Sequence, residues 1–152
     1  MHVFDISGRV GLSMEKVICY TDGGARGNPG PSGIGVYITD ESGKMLYEVK
    51  QAIGNATNNF AEYNAVMVGL QTLKAKYGKK TKTTHFEIRL DSELVKKQLN
   101  NEYQIKEPGL VPMFIEIHNL RVSTFPHLTL THVPRAKNKE ADRLVNEALD
   151  GK

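Results

Sequence analysis

The sequence predicts an α/β fold in which helices cover the faces of a five-stranded mixed sheet. Three runs rich in β-branched and aromatic residues follow one another before residue 55, separated only by turns. Runs joined this closely pair as antiparallel hairpins. Two later strands are each flanked by helices, so they join the sheet through crossover connections as parallel additions. The resulting element order is β-β-β-α-β-α-α-β-α.

The first predicted strand covers residues 17–20, and Asp22 stands where this apolar run ends. The next nine residues, 23–31, contain four glycines and two prolines. Glycine allows another backbone to approach closely and proline stiffens a turn. A carboxylate beside such a turn suits a metal ion and a polyanion, although an ordinary hairpin whose Asp starts the turn has the same pattern.

Two further strands and a long helix follow. The strands are predicted over 33–38 and 45–49, with a turn between them. Thr57 or Asn58 can cap the helix, which Gly78 ends.

One face of this helix carries an acid among small and apolar residues. The positions with helical spacing on this face are Glu62, Ala65, Val66, Gly69 and Leu73. An unpaired carboxylate in such surroundings is destabilising unless a positive group meets it.

The second half of the chain alternates strands with helices. A fourth strand over 86–90 ends directly before Asp91, and a short helix begins at Ser92. The remaining predicted elements are a helix over 112–122, a strand over 128–133, a loop over 134–138 and a last helix with Asn138 as its cap.

Composition describes a protein with one folded domain. The chain has 152 residues, of which 39% are apolar and 24% charged, with a net charge of +3. This charge is compatible with a nucleic-acid partner without demanding one. A single cysteine excludes an internal disulfide framework and favours a reducing, cytoplasmic location. The sequence has no run of eighteen apolar residues, so it predicts no membrane-spanning helix. Residues 1–15 are predicted to be a leader or extension, and residues 16–150 the domain.

Four acids occupy comparable places in this plan. They end a strand or open a helix, and they are Asp22, Glu62, Asp91 and Asp142. Gathered at one edge of the sheet, they would repel one another unless divalent cations neutralised them. Oxygen ligands favour magnesium or manganese, and two such ions form a phosphoryl-transfer site. Four unrelated surface acids are the alternative, because the chain has 17 acidic residues.

The motifs around these acids resemble those of type 1 ribonuclease H. They are Thr21-Asp22-Gly23-Gly24 with Gly27-Asn28-Pro29-Gly30-Pro31, Thr57-Asn58-Asn59 with Glu62, Leu90-Asp91-Ser92, and Asn138-Lys139-Glu140-Ala141-Asp142. The resemblance runs from about residue 16 to residue 149 and covers nearly the whole chain. It implies the ribonuclease H-like fold.

The resemblance also implies an activity, which is hydrolysis of the RNA strand of an RNA·DNA hybrid to 5′-phosphate and 3′-hydroxyl ends. Two Mg²⁺ ions, with Mn²⁺ as a substitute, would serve a monomeric enzyme. By similarity Asp22 bridges both ions, Asp142 helps hold the ion that activates water, and Glu62 and Asp91 hold the other ion. Activity on double-stranded RNA stays open.

Substrate contacts follow from the same resemblance. A hybrid offers 2′-hydroxyls in a wide, shallow minor groove. The residues expected to contact it are Gly23, Gly24, Ala25, Asn28, Thr57, Asn58 and Asn59.

Three features depart from the family pattern. The basic, tryptophan-bearing handle is absent, since residues 100–104 pass quickly onward and the chain has no tryptophan. Glu93 replaces a glutamine that touches RNA in several relatives. The loop before the last helix lacks the auxiliary histidine, and Arg135, or in second place Lys137, is expected to take over part of its work.

Two other functions are compatible with the sequence. One is a binding module of this fold that holds a hybrid or double-stranded RNA without cutting it. The other is a related nuclease such as a resolvase. The complete set of four carboxylates opposes the first, and the glycine-rich segment opposes the second.

Overall fold

The structure of the protein is a computed structural model that describes residues 2–4, 10–12 and 14–152. The predicted leader, residues 1–15, therefore lies partly outside the described residues. Within it, strands β1 (His2–Phe4) and β2 (Val10–Leu12) pair antiparallel as a separate two-stranded sheet.

The main sheet has five strands, which confirms the predicted mixed topology. They are β3 (Glu15–Ala25), β4 (Gly30–Asp40), β5 (Met45–Ala56), β6 (Thr84–Leu90) and β7 (Leu128–His132). Their order across the sheet is β5-β4-β3-β6-β7. The first three pair antiparallel, and β6 and β7 add in parallel on the other side of β3.

Helices cover both faces of this sheet. They are α1 (Asn58–Tyr77), α2 (Glu93–Leu99), α3 (Val111–Thr124) and α4 (Lys139–Leu149). Gly69 of α1 lies beside Val36, whereas the main chain of α4 passes close to the neighbouring Gly35. Since consecutive strand residues point to opposite faces, α1 and α4 lie on opposite sides of the sheet. No helix in the described part of the chain is long and apolar enough to cross a membrane.

Strand β3 is longer than the sequence predicts, and Asp22 lies inside it rather than at its end. The antiparallel pairing with β4 continues through the glycines, with Asp22 opposite Gly35 and Ala25 opposite Ser32. The parallel pairing with β6, in contrast, stops at Thr21 and Leu90. Thr21 and Leu90 are the last pair of residues in this parallel pairing. Asp22 and Asp91 follow them directly, which places both acids at one edge of the sheet.

The core lies between the sheet and helices α1 and α3. Cys19 is fully buried in it, and burial raises the pKa of its thiol to about 12. The predicted face of α1, which carries Glu62 among small and apolar residues, is confirmed because all of its members are buried.

Helix α1 rests directly on the backbone of β3 at Gly23. A Cβ atom built on Gly23 would lie 2.2 Å from the carbonyl oxygen of Ala61, the residue before Glu62. Only a residue without a side chain fits there, so this glycine sets how closely Glu62 approaches Asp22.

We expect Gly23→Ala to lower the free energy of unfolding by about 1–3 kcal/mol or more, because the added methyl group must push α1 away. Gly24→Ala is the matched control, since its Cβ would meet only Val145 at an ordinary 3.9 Å. Urea unfolding followed by circular dichroism measures both variants. Equal stability of the two would show that α1 accommodates the methyl group without strain.

Candidate active site

Three of the predicted acids meet at the edge of the main sheet. Asp22 comes from β3, Glu62 from the first turns of α1, and Asp91 from the residue after β6. One carboxylate oxygen from each lies within 4.8 Å of the others. Asp22 and Glu62 are each only 8% exposed, and Asp91 is half-buried.

Burial and the repulsion between neighbouring acids both change the pKa values of Asp22 and Glu62. Burial, and then the charges of Asp91 and Asp142, raise the pKa of Asp22 to about 7. Hydrogen bonding to Glu62 and to the N–H of Gly23, 3.0 Å away, opposes part of this rise. Burial and the charge of Asp22 likewise raise the pKa of Glu62 well above its usual range. The fully ionised cluster is therefore unstable without a counter-charge.

A divalent cation would supply the counter-charge that these carboxylates need. No lysine or arginine of the described residues forms an ion pair with the three carboxylates. One oxygen of Glu62, Oε2, is buried and has no hydrogen-bond partner among the described residues. Hard oxygen ligands of this kind are those that magnesium and manganese prefer.

The fourth acid, Asp142, lies in the first turn of α4 and lines the same cleft, which has a volume of about 450 Å³. It is not one of the three acids whose oxygens lie within 4.8 Å, but its charge contributes to the raised pKa of Asp22. The structure thus joins three acids closely and places the fourth on the wall of their cleft.

Two asparagines are locked beside the cleft by main-chain hydrogen bonds. Asn28 Oδ1 accepts from the N–H of Asn58 at 3.0 Å, and Asn58 Oδ1 accepts from the N–H of Ala25 at 2.8 Å. Each amide oxygen is occupied, so the NH₂ groups are the ends left to donate. The N–H of Ala25 is already engaged, whereas Gly23 and Gly24 line the cleft.

Thr57 and Asn59, the two neighbours of Asn58 in the chain, also form hydrogen bonds within the protein. Thr57 caps α1, because its hydroxyl oxygen accepts from the N–H of Phe60 at 3.1 Å. Asn59 donates from Nδ2 to Glu107 at 2.8 Å. Contacts of either residue with nucleic acid remain a prediction.

The short connection after α2 is held close to the body of the domain. Gln98 donates to the carbonyl oxygen of Gln104 at 3.3 Å, and Lys97 lies over the ring of Tyr103. A cluster of lysines, Lys79, Lys80 and Lys82, follows α1. It lies at the far end of that helix, about 25 Å from Glu62 at a rise of 1.5 Å per residue. These lysines are therefore not a basic surface at the cleft.

The loop before α4 carries the two cations predicted to replace a histidine. Arg135 lines the carboxylate cleft. Lys137 instead lines a separate hollow beside Tyr20 and Tyr37. His132 is exposed at the end of β7, opposite Leu90. Of these groups, Arg135 has the position that an auxiliary role requires.

Asn138 is a site residue whose role the sequence pattern does not reveal. It is predicted only as the cap of α4, yet its side chain makes no capping hydrogen bond. Its amide instead points into the site and donates to Asp91. Its spacing of four residues before Asp142 is the one signal that associates it with the carboxylates.

Comparison with known proteins gives the same fold. Residues 20–148 match the family described as "Reverse transcriptase-like". The structure superposes on LC11-RNase H1, isolated from compost by a metagenomic approach, with a TM-score of 0.87 and 49% identity over 91% of this chain and 98% of that one. A structure of LC11-RNase H1 in complex with RNA/DNA hybrid matches with a TM-score of 0.85 and 48% identity, covering 89% of this chain and 97% of that one.

Proteins of similar sequence include a ribonuclease H of the same type. Ribonuclease HI of Halobacterium salinarum is 40% identical over 135 residues, which are 89% of this chain and 65% of the relative. The bifunctional protein Rv2228c of Mycobacterium tuberculosis is 41% identical over 136 residues, and the chain spans only 36% of its length. The mixed sheet, the carboxylates at its edge and these relatives lead to one conclusion: the chain belongs to the type 1 ribonuclease H family, with the ribonuclease H-like fold.

Proposed function

We propose that this protein is an endoribonuclease that hydrolyses the RNA strand of RNA·DNA hybrids with the aid of two Mg²⁺ ions, leaving 5′-phosphate and 3′-hydroxyl ends. The observation that carries the proposal is the triad of carboxylates, two buried and one half-buried, whose oxygens lie within 4.8 Å of one another in an open cleft. The hybrid bound to the relative LC11-RNase H1 supports the choice of substrate.

The three acids of the triad would hold the metal ions together with Asp142, which lines the same cleft from α4. When bound, two divalent ions supply a nucleophilic water near neutral pH and charge stabilisation for the leaving oxygen. Mn²⁺ has similar ligand preferences and would substitute. Burial of Asp22 and Glu62 strengthens their interaction with a cation, because little water screens it.

The residues beside the acids would recognise the minor groove of the hybrid. Gly23 and Gly24 present main chain without side chains, which lets the sugar edges approach. The NH₂ groups of Asn28 and Asn58 would donate to oxygen acceptors there, since their amide oxygens are already bonded inside the protein. The domain of residues 16–150 would do this as a cytoplasmic monomer.

The decisive experiment compares cleavage of labelled RNA·DNA hybrid, double-stranded RNA and double-stranded DNA with Mg²⁺, Mn²⁺ or EDTA. We expect cuts in the RNA strand of the hybrid, abolished by EDTA, with products that carry a 5′-phosphate. Binding of the hybrid without any cleavage would favour a non-cleaving module instead. Cleavage of DNA alone would favour a resolvase-like nuclease.

Arg135 is proposed to act electrostatically on the scissile phosphate. An arginine side chain has no basic lone pair to offer near neutral pH, so it cannot serve as a general base. We expect Arg135→Ala to lower kcat several-fold with little change in KM, and Lys137→Ala to leave kcat unchanged because Lys137 lies outside the cleft. Steady-state kinetics at two salt concentrations measure both. A kcat of Arg135→Ala within about twofold of wild type, with a salt-sensitive rise in KM, would make Arg135 a binding residue only.

A further inference from the structure

Asn138 connects the segments that carry three of the four acids. It lies between a 3₁₀ turn (Arg135–Lys137) and helix α4, and it is only 1% exposed. Its carbonyl oxygen accepts from the N–H of Asp142 at 3.1 Å. Its side chain extends in the other direction, toward the ends of β3 and β6.

The amide nitrogen of Asn138 makes two hydrogen bonds there. Nδ2 donates to the carbonyl oxygen of Thr21 at 2.9 Å and to Asp91 Oδ2 at 3.3 Å. Both partners are acceptors only, so the NH₂ end of the amide must face them. Thr21 directly precedes Asp22, and one buried amide thus joins the main chain at Asp22 to the carboxylate of Asp91.

The other end of the amide has no partner in the part of the chain that the structure describes. There, Asn138 Oδ1 is buried and accepts no hydrogen bond. An unsatisfied buried acceptor destabilises a fold. The side chain does not offset this by capping α4, since it makes no capping hydrogen bond. Stability of the helix is therefore a poor reason for an asparagine at this position.

We propose that Asn138 is a positioning residue for the metal site, whose amide fixes the orientation of Asp91 so that its carboxylate faces a divalent ion. The inference rests on the proposed function for the identity of the site. A neutral donor suits this role, because it orients the carboxylate without the positive charge that would compete with the ion. Groups that orient metal ligands in this way affect metal affinity by about 10–100-fold.

The test measures binding of Mn²⁺ alone to the metal-free protein by isothermal titration calorimetry at pH 8. Asn138→Asp keeps the size of the side chain but replaces the donor by an acceptor, and Asn138→Ser shortens the side chain so that it no longer reaches Asp91. We expect both to weaken Mn²⁺ binding by tenfold or more. Asn119→Asp, on the exposed face of α3 outside the cleft, is the control and leaves the affinity unchanged.

The sign of the Asn138→Asp result separates positioning from simple charge. An added negative charge beside the site would by itself attract the cation, so weaker binding has to come from lost geometry. Tighter or unchanged Mn²⁺ binding by this variant would overturn the proposal. If it does not fold, Asn138→Ser decides the question alone, and an affinity within twofold of wild type would overturn the proposal equally.

Further measurements distinguish this proposal from a structural role and from the proposed function. A merely structural Asn138 would lower the melting temperature of the metal-free variants and leave the Mn²⁺ affinity unchanged. Hybrid binding in EDTA is expected to match wild type, because the recognition residues lie on other segments. A wild-type protein that binds Mn²⁺ but does not cut the hybrid would refute the proposed function, and the calorimetric comparison of Asn138 would still stand.

Discussion

Asp22→Asn is expected to abolish cleavage of the hybrid while leaving the protein folded and able to bind it. Asp22 is coupled to all three other acids, since the charges of Asp91 and Asp142 raise its pKa and hydrogen bonding to Glu62 lowers it. Losing its charge would weaken the hold on both ions. A single-turnover cleavage assay with Mg²⁺ measures the effect, and hybrid binding is measured separately by fluorescence anisotropy.

The control for Asp22→Asn is Glu41→Gln, which removes one charge from an exposed turn. It is expected to cleave at the wild-type rate. If Asp22→Asn kept more than about a tenth of wild-type turnover, the substitution would have raised the activation barrier by less than about 1.4 kcal/mol. Asp22 would then not have the assigned role. A variant that lost hybrid binding as well would indicate a damaged fold rather than a missing ligand.

Without metal, the protein is expected to become less stable as the pH rises from 5 to 8. The pKa of Asp22 is about 7 in the folded protein and 3.8 as a free side chain, so the folded state holds the proton more tightly. The stabilisation from this proton is complete at low pH and disappears as the pH rises through 7. The raised pKa of Glu62 acts in the same direction. A shift from 3.8 to about 7 corresponds to at most about 4 kcal/mol over all pH values, of which about 3 kcal/mol falls between pH 5 and pH 8.

Urea unfolding in EDTA at several pH values measures this decline. Asp22→Asn isolates the contribution of Asp22, because its free energy of unfolding should fall less over the same pH range. Saturating Mg²⁺ should restore stability chiefly above pH 7, where the carboxylates are ionised and bind the cation. A free energy of unfolding that rose between pH 5 and pH 8 in EDTA, in parallel for both proteins, would contradict the raised pKa.

Local patterns are sufficient to predict most of the site. Helical spacing predicts the buried position of Glu62 because a 3.6-residue period fixes which residues share a face. The end of an apolar run places Asp91. The order of strands and helices then predicts a mixed sheet, since parallel neighbours need crossover connections.

Long-range pairing explains what the sequence pattern misses. Strand β3 continues past Asp22 because its glycines pair with β4, and no local propensity favours glycine in a strand. Asn138 has the sequence context of a helix cap, and only the fold brings Thr21 and Asp91 within reach of its amide. The hydrogen bonds that lock Asn28 and Asn58 likewise join residues 30 and 33 positions apart.

The contact between α1 and β3 at Gly23 has a consequence for sequence drift. Two backbones touch there, so their separation does not depend on the volume of any side chain. Replacement of apolar residues elsewhere in the core is therefore expected to leave the distance between Asp22 and Glu62 nearly unchanged.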